Sequence, residues 1–451
     1  MALPPAFAAG ALYDNLLQAA LRQFFARATF ESEPTPSISS DGRLAIEPTN
    51  DPAELTVRWF GSRHILRVPP WRPFTEHEVR LARSIGAVLA TRYRAIFDPS
   101  VMALRGDLFR GAIEDRYVGT FLDGGQYALQ GEEGRADRLS DAIEVLRVAA
   151  LSSYENRAIS SGVLHLDGRR DPVNPDRDVP AGAYAYNQAL TAIKSFYRLC
   201  DGLNTLFLVN REGVVLDIVE VQRWASERGR RGLEIPCAAP YRAHASATLD
   251  GGEACIVLSP SHEIKVFAEG AQVFTFRNAH WHLLDLEAKY TLWQKAVGKP
   301  ALAQRLFQTA LDLSDAREGA LFVVLREPAA AVPQLIAPSD RLDTMAESVD
   351  ARTSPSRRDL LYLLAGRTAT TLDRTVLEAL ATMDGATVMD PSGALLAVGA
   401  ILMHPMMPDA GLAIEGARTT AAVAAARFGP VLKVSEDGMI TFYDGDRVWD
   451  I

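Results

Sequence analysis

The sequence is short of cysteine, of histidine and of any long uninterrupted apolar run, and its charge leans to the acidic side. Three cysteines, Cys200, Cys237 and Cys255, stand at spacings that match neither a zinc knuckle nor a redox pair, which argues against a disulfide framework or a cysteine-built metal centre. They are expected to be free and buried, a usage that fits a reducing cytoplasm. No apolar stretch approaches the roughly 20 residues that a bilayer-spanning helix needs. Met1–Gly10 is apolar but carries no basic n-region, so neither a membrane anchor nor a signal peptide is expected. Lys and Arg number 47 against 56 Asp and Glu, a formal charge of −9, which argues against a general nucleic-acid partner because phosphate-backbone affinity comes from clustered cations. The dense basic patch Arg228, Arg230 and Arg231, interleaved with Gly229 and Gly232, reads as a solvated loop. A Gly-rich Lys-Ser/Thr phosphate loop, a His-Glu-x-x-His pair and a dinucleotide fingerprint are all missing. His280 and His282 flank Trp281 at a strand end or helix start, and no metal role is expected there.

What is present is an ordinary globular composition, 48% hydrophobic and 23% charged over 451 residues, long enough for two or three domains. The expected fold class is α/β. A small N-terminal sensor-like α/β unit spans residues 1–130, a second α/β unit 131–292, and a last domain 293–451, a mixed β-sheet flanked by helices. Apolar residues from Leu12 to Phe25 recur at helical spacing. The Ser/Pro-rich stretch Glu31 to Gly42 reads as a loop, and Leu55 to Phe60 with His64 to Val68 as a hairpin around Gly61-Ser62. Thr75 and Glu78 form a capping box before a helix carrying Leu81, Ile85, Val88, Leu89 and Ile96, which Asp98-Pro99 ends. Pro328 to Arg358, with Pro333, Pro338 and Ser354-Pro355-Ser356, reads as a long loop inside the last domain, either a lid or a passive insertion.

The second unit looks like a weathered copy of the last. A helix at Ile143 to Leu151 leads to the strand Gly162-Val163-Leu164, as Leu302 to Leu313 leads to Gly319-Ala320-Leu321. A helix at Ala189 to Leu199 precedes Asp201-Gly202, as Leu372 to Leu380 precedes Asp384-Gly385. Strand, Gly turn and strand follow in both, through Gly213 and Gly393. Arg242-Ala243-His244-Ala245 falls where Arg418 stands, and the closing hairpins pair Phe267-Ala268-Glu269-Gly270 with Phe442-Tyr443-Asp444-Gly445.

The last domain carries the chemistry. Asp384-Gly385-Ala386 opens it, Gly416-Ala417-Arg418-Thr419-Thr420-Ala421-Ala422 follows, and Ser435-Glu436 comes before the closing hairpin. An acid, an Arg beside two hydroxyls and a second acid, spaced along alternating strands and helices, suit a polyphosphate and a metal ion. The Ala-rich run from Ala421 has high helix propensity, so Gly416 to Thr420 lies at a helix N-terminus, where free N–H groups and the dipole favour phosphate. Thr419 and Thr420 are expected to cap that helix and to donate to phosphate oxygens. Gly385 lacks a side chain and so lets backbone approach a ligand closely, and Ala386 keeps that floor small.

These three motifs resemble those of the diadenylate cyclase domain family over roughly residues 298 to 451. Asp384, Gly385 and Ala386 match the family's Asp-Gly-Ala in full. Gly416, Ala417, Arg418, Ala421 and Ala422 match its Gly-Thr/Ala-Arg-His-Arg-Ala-Ala, with Thr419 and Thr420 in place of His and Arg, and Ser435 and Glu436 match its late Ser-Glu. The resemblance implies condensation of two ATP into cyclic di-AMP. Asp384 and Glu436 would be the metal-binding catalytic acids, with Mg²⁺ or Mn²⁺ as cofactor. Gly385, Ala386, Gly416, Ala417, Arg418, Thr419, Thr420 and Ser435 would bind nucleotide. Two such domains would face one another in a homo-oligomer, or the degenerate second unit would pair with the last within one chain. The two Thr hydroxyls supply no charge, and each lost charge-assisted bond is worth about 1.5–3 kcal/mol. A catalytically weak or inactive nucleotide-binding regulator is therefore the alternative expectation.

Overall fold

Thr75 opens its helix as the capping box requires: its Oγ1 accepts the Glu78 N–H at 3.1 Å, and the Glu78 carboxylate accepts the Thr75 N–H at 3.0 Å. The helix Glu76–Phe97 buries Leu81, Ile85, Val88 and Leu89, while Ile96 is exposed. Asp98 ends it and caps the next helix, Pro99–Leu104, with its carboxylate. The buried face shares one core with Leu17 and Leu21 of the N-terminal helix Pro5–Phe24 and with Leu55, Val57 and Trp59. Those last three lie in an antiparallel sheet of order β1-β4-β3-β2, formed by β1 (Thr29–Pro34), β2 (Ala45–Pro48), β3 (Glu54–Trp59) and β4 (Ser62–Arg67). The expected hairpin is therefore β3–β4. The stretch from Glu31, expected to be loop, begins as strand because β1 pairs along the whole of β4.

The computed structural model describes residues 5–25, 27–34, 44–60, 62–68, 72–124, 127, 136–154, 157–168, 183–193, 195–228, 232–249, 252–342, 361–403 and 416–451. The remainder of the Glu31–Gly42 stretch, Gly61, the basic residues Arg230 and Arg231 with Gly229, and Ser354-Pro355-Ser356 lie outside them. Two compact units emerge: Met1–Gly232 with Ala243–Asp285, and Leu233–Arg242 with Leu286–Ile451. The expected boundary after residue 130 lies inside the first unit, whose core runs on from Trp59 to Val163, Phe207 and Phe274. Cys200, Cys237 and Cys255 are free and buried. Among the described residues, no helix is long and apolar enough to cross a membrane.

Besides the ribbon of β5 (Ser153–Tyr154) and β6 (Arg157–Ala158), the first unit holds a seven-stranded sheet of order β13-β12-β11-β10-β7-β8-β9. Its strands are β7 (Ser161–His165), β8 (Thr205–Val209), β9 (Val215–Glu220), β10 (Ala254–Leu258), β11 (Ile264–Ala268), β12 (Ala271–Arg277) and β13 (His280–Leu283). The second unit holds a six-stranded sheet of order β16-β15-β14-β17-β18-β19, from β14 (Ala320–Val324), β15 (Ala386–Met389), β16 (Leu395–Ala400), β17 (Val431–Val434), β18 (Ile440–Asp444) and β19 (Asp446–Asp450). Six strands of one sheet superpose in order and direction on those of the other: β7 and β14 are each flanked by one parallel strand, β8 or β15, and one antiparallel strand, β10 or β17. The likeness extends to single bonds. Asn210 Oδ1 accepts the N–H groups of Glu212 and Val214, and Asp390 Oδ1 accepts those of Ser392 and Ala394, around Gly213 and Gly393, which both have positive φ.

Three expected elements differ. The helix expected over Ala189–Leu199 is two short pieces, a 3₁₀ turn Gln188–Ala192 and a turn Phe196–Leu199. There Asn187 and Thr191 bond to nearby backbone in competition with the α-helical ladder. The loop expected from Pro328 begins as the helix Pro328–Leu335, because Pro at its first position is tolerated and Ala331 and Leu335 are buried. His280 and His282 lie on β13, exposed on alternate residues around a buried Trp281 whose Nε1–H donates to Asp115 at 2.8 Å.

His77 links the helix Glu76–Phe97 to the sheet. Its Nδ1 stands 3.4 Å from Asp285 and its Nε2 3.7 Å from Glu269, which also takes a 2.8 Å bond from Arg80. The Asp285 carboxylate, then that of Glu269, raises His77 to about 9, and His77 in turn lowers Glu269 to about 2. A raised imidazole stabilises the fold fully below its ordinary value near 6.5 and ceases to as pH climbs through about 9. Glu269 loses its contribution only when pH falls from about 4.5 through about 2. The unfolding midpoint should therefore decline between pH 6.5 and 9 beyond what His77→Gln shows, and equal slopes in calorimetry would remove His77 from the stability balance.

Candidate functional site

Strand register decides which residues can meet. β15 runs parallel to β14, with Thr387 opposite Phe322, so Asp384 and Gly385 enter the sheet beside the start of β14. β17 runs antiparallel, with Val434 opposite Ala320, so Ser435 and Glu436 leave the sheet at that same end. The helix Ala417–Ala425, which leads into β17, brings Arg418 and Thr419 there as well. Three motifs far apart in sequence thus converge. They line a cleft of about 1040 Å³ with Asp384, Gly416, Ala417, Arg418, Thr419, Ser435 and Glu436 on its walls, slightly above the range of ordinary ligand sites, about 300–1,000 Å³. Gly385, Ala386 and Thr420 are not among its lining residues.

The Asp384 carboxylate is exposed and has no hydrogen bond or ion pair among the described residues. Arg418 is one-third exposed, and its Nη1 donates to Glu436 Oε1 at 2.8 Å. Ser435 is half-buried on a turn held by its own N–H to Met439 O and by Ser314 Oγ, which donates to Gly438 O. Gly416, with φ 87°, is the N-cap and has no side chain to cap with. Contrary to expectation, neither threonine caps the helix: Thr419 and Thr420 lie inside its first turn, where their own N–H groups bond Gly416 O at 3.1 and 3.2 Å. Thr419 Oγ1 instead accepts from Lys433 Nζ at 3.0 Å. A group of three or more metal-ligating side chains is absent among the described residues.

Gly385 and Gly319 explain the tightness of this corner. Gly385 has φ 107°, and a Cβ there would stand 2.5 Å from the backbone of Gly399, so the neighbouring strand β16 by itself requires a glycine here. Ala386 is buried in the sheet core with Val388 and Ala397, away from the cleft. A Cβ on Gly319 would come within 2.2 Å of Arg418 Nη1; the missing side chain is the space the guanidinium occupies. Neither Gly319 nor Lys433 belongs to the three sequence motifs. The signal for Lys433 was there, one cation in the otherwise apolar Val431-Leu432-Lys433-Val434.

The first unit shows what the same scaffold looks like with its polar groups used internally. Asp201, the counterpart of Asp384, accepts the N–H groups of Leu203, Asn204 and Thr205 at 2.9, 2.7 and 3.0 Å. Although burial pushes its carboxyl up, those backbone bonds and Asn204 outweigh it and hold the pKa below its usual value. Ser259, the counterpart of Ser435, bonds Ser261 and the Glu263 N–H. His244 is buried with Nε2 2.8 Å from Gly202 O, and burial lowers it to about 4, so it stays neutral.

No protein-family model matches the chain, and no curated protein matches it. Among solved structures, the chain is similar to a cysteine double mutant of DacA from Staphylococcus aureus, at 18% identity over 33% of this chain and 86% of that one, with a TM-score of 0.22. It is also similar to a hypothetical membrane spanning protein from Bacillus cereus, at 20% identity over 36% of this chain and 70% of that one, with a TM-score of 0.25. At those scores the chemistry rests on the residues of the cleft themselves.

Gly319→Val should displace Arg418 from Glu436 and weaken binding of any anionic ligand in the cleft about tenfold, while the unfolding midpoint shifts little because the clash falls on a flexible side-chain end. Calorimetric titration of the variant against the wild type measures it; unchanged affinity would mean that the position of Arg418 does not matter to the ligand.

Proposed function

We propose that the chain is a diadenylate cyclase, joining two ATP molecules into cyclic di-AMP with release of two pyrophosphates. The observation that carries this reading is the cleft itself, in which the unengaged Asp384 carboxylate, the N-terminus of the helix Ala417–Ala425, Arg418, Ser435 and Glu436 lie on one wall system. In each half-reaction a ribose 3′-oxygen attacks the α-phosphorus of the neighbouring nucleotide, its bond to phosphorus forms as the bond to pyrophosphate breaks, and the hydroxyl proton leaves. Such a transfer needs alignment and charge neutralisation above all. Asp384 would orient the hydroxyl, and the backbone N–H groups of Ala417 and Arg418 with Ser435 Oγ would hold phosphate oxygens.

Arg418 would exchange its partner on binding. Its pair with Glu436 involves a carboxylate that is 74% exposed. An exposed pair contributes only about 0–1 kcal/mol, so giving it up costs little, and a phosphate held also by the helix N-terminus would take the place of Glu436. Asp384 and the released Glu436 then fit Mg²⁺ or Mn²⁺, since Mg²⁺ is usually held by one or two carboxylates together with substrate phosphates and waters. Such a cation would lower the hydroxyl pKa and screen the phosphate oxygens. Since one nucleotide must meet another, two clefts would face each other, in a homo-oligomer or in a pairing with the first unit, which would act as the regulatory part.

The absence of charge on Thr419 and Thr420 favours a second reading, a nucleotide-binding regulator that does not turn over. Incubation of the purified protein with ATP and Mn²⁺ or Mg²⁺, followed by mass spectrometry, separates the two: cyclic di-AMP is expected, and tight ATP binding without product at high protein concentration would establish the regulator instead. Asp384→Asn should keep the fold and reduce product at least a hundredfold, on the order of a lost general-acid/base or metal-orienting group; unimpaired turnover would take Asp384 out of the mechanism.

A further inference from the structure

The cleft is lined by the acids Asp384, Glu436, Asp437 and Asp446 and by the cations Arg418, Lys433 and Arg447. Two of the three cations are already matched: Arg418 pairs with Glu436, and Arg447 with Asp450. Lys433 is different. Among the described residues its ammonium has no carboxylate within ion-pair distance and makes one hydrogen bond, to Thr419 Oγ1 at 3.0 Å. An ammonium carries three N–H donors, so two remain for something else.

Its position makes that something a ligand. Lys433 stands opposite Thr441 on β18 and two residues before Ser435, so all three share the face of the sheet on which the helix Ala417–Ala425 lies. Thr441 and Ser435 line the same cleft. The side chain is half-buried in a strand whose other residues, Val431, Leu432 and Val434, are fully buried. Burial pulls the ammonium below its usual value while the field of Asp437 opposes this. A partly desolvated cation without a paired carboxylate is electrostatically unsatisfied, and an anion entering the cleft relieves it.

We infer that Lys433 is a second phosphate-binding cation of this cleft beside Arg418, supplying from β17, through its contact with Thr419, the positive charge that Thr419 and Thr420 do not carry. The inference rests on the reading of the cleft as a nucleotide site and names the group that meets the polyphosphate. Arg418 and Lys433 would approach the phosphates from the helix and from the sheet, and the Thr419 hydroxyl would fix the ammonium by accepting one of its protons.

Equilibrium titration of the full chain with ATP plus Mg²⁺, and separately with adenosine, tests this in the wild type, Lys433→Met and Lys433→Arg, each checked by its unfolding midpoint. Loss of one charge-assisted bond predicts that ATP affinity falls about tenfold or more in Lys433→Met, that adenosine affinity does not change, and that Lys433→Arg retains most of the ATP affinity. ATP binding to Lys433→Met at wild-type strength overturns the inference, as does an equal loss for ATP and adenosine, which would make Lys433 a brace for the helix. A wild type that binds ATP, shows the selective loss and yields no cyclic dinucleotide would sink the cyclase reading and leave Lys433 in its role. A wild type that binds no nucleotide overturns both.

Discussion

The pairing of one fully buried strand, β14, with a parallel neighbour on one side and an antiparallel neighbour on the other is the constraint on which the second unit depends. All five of its residues are buried, so a slip of one position would turn its side chains to the wrong faces and is strongly disfavoured. At the far end Gly429 brings β17 close enough that a Cβ there would sit 2.0 Å from Val324 O. With both ends of the register pinned, the entry to β15 and the exit from β17 must share an edge of the sheet. Convergence of Asp384, Arg418 and Glu436 is then a geometric consequence of pairing. No contact among the three is needed to bring them together.

The electrostatics of the two units diverge on this common frame. In the first, carboxylates are consumed by the fold: Asp201 by its own turn, Asp115 by Arg147 and Trp281, and Asp137 by Ser140 and Tyr127. Asp115 and Asp137 are buried deeply enough that desolvation lifts their carboxyls above the usual range despite those partners. In the second unit the cleft acids are exposed or only loosely engaged. An acid that the fold does not tie to its own backbone can be offered to a cation or a hydroxyl.

Much of this was readable in the residues. Periodicity marked the helices from Leu12 and from Thr75, where the capping hydrogen bonds follow directly from side-chain chemistry. The strand-turn-strand units around Gly213 and Gly393 were legible because Gly at positive φ punctuates both. What escaped was decided by tertiary context. The strand from Thr29 carries Ser and Pro and exists because β4 lies beside it; the helix from Pro328 looks like loop by composition and is held by burial of Ala331 and Leu335. At the site, the closeness of Gly399 to Gly385 across the strand is not legible from the Asp-Gly-Ala motif. Lys433 and Gly319 could not be recognised as neighbours of Thr419 and Arg418 from spacing alone, since strand register and not sequence distance sets those contacts.

The paired turns around Asn210 and Asp390 separate what holds the strands from what lies at their ends. Two stretches of one chain fold to the same strand order, down to the side-chain oxygen that gathers two backbone N–H groups, while one keeps its acid free and the other ties its acid down. Strand order and the engagement of the acids therefore rest on separate residues. Changing what one sheet edge offers to solvent need not change how the strands above it pair.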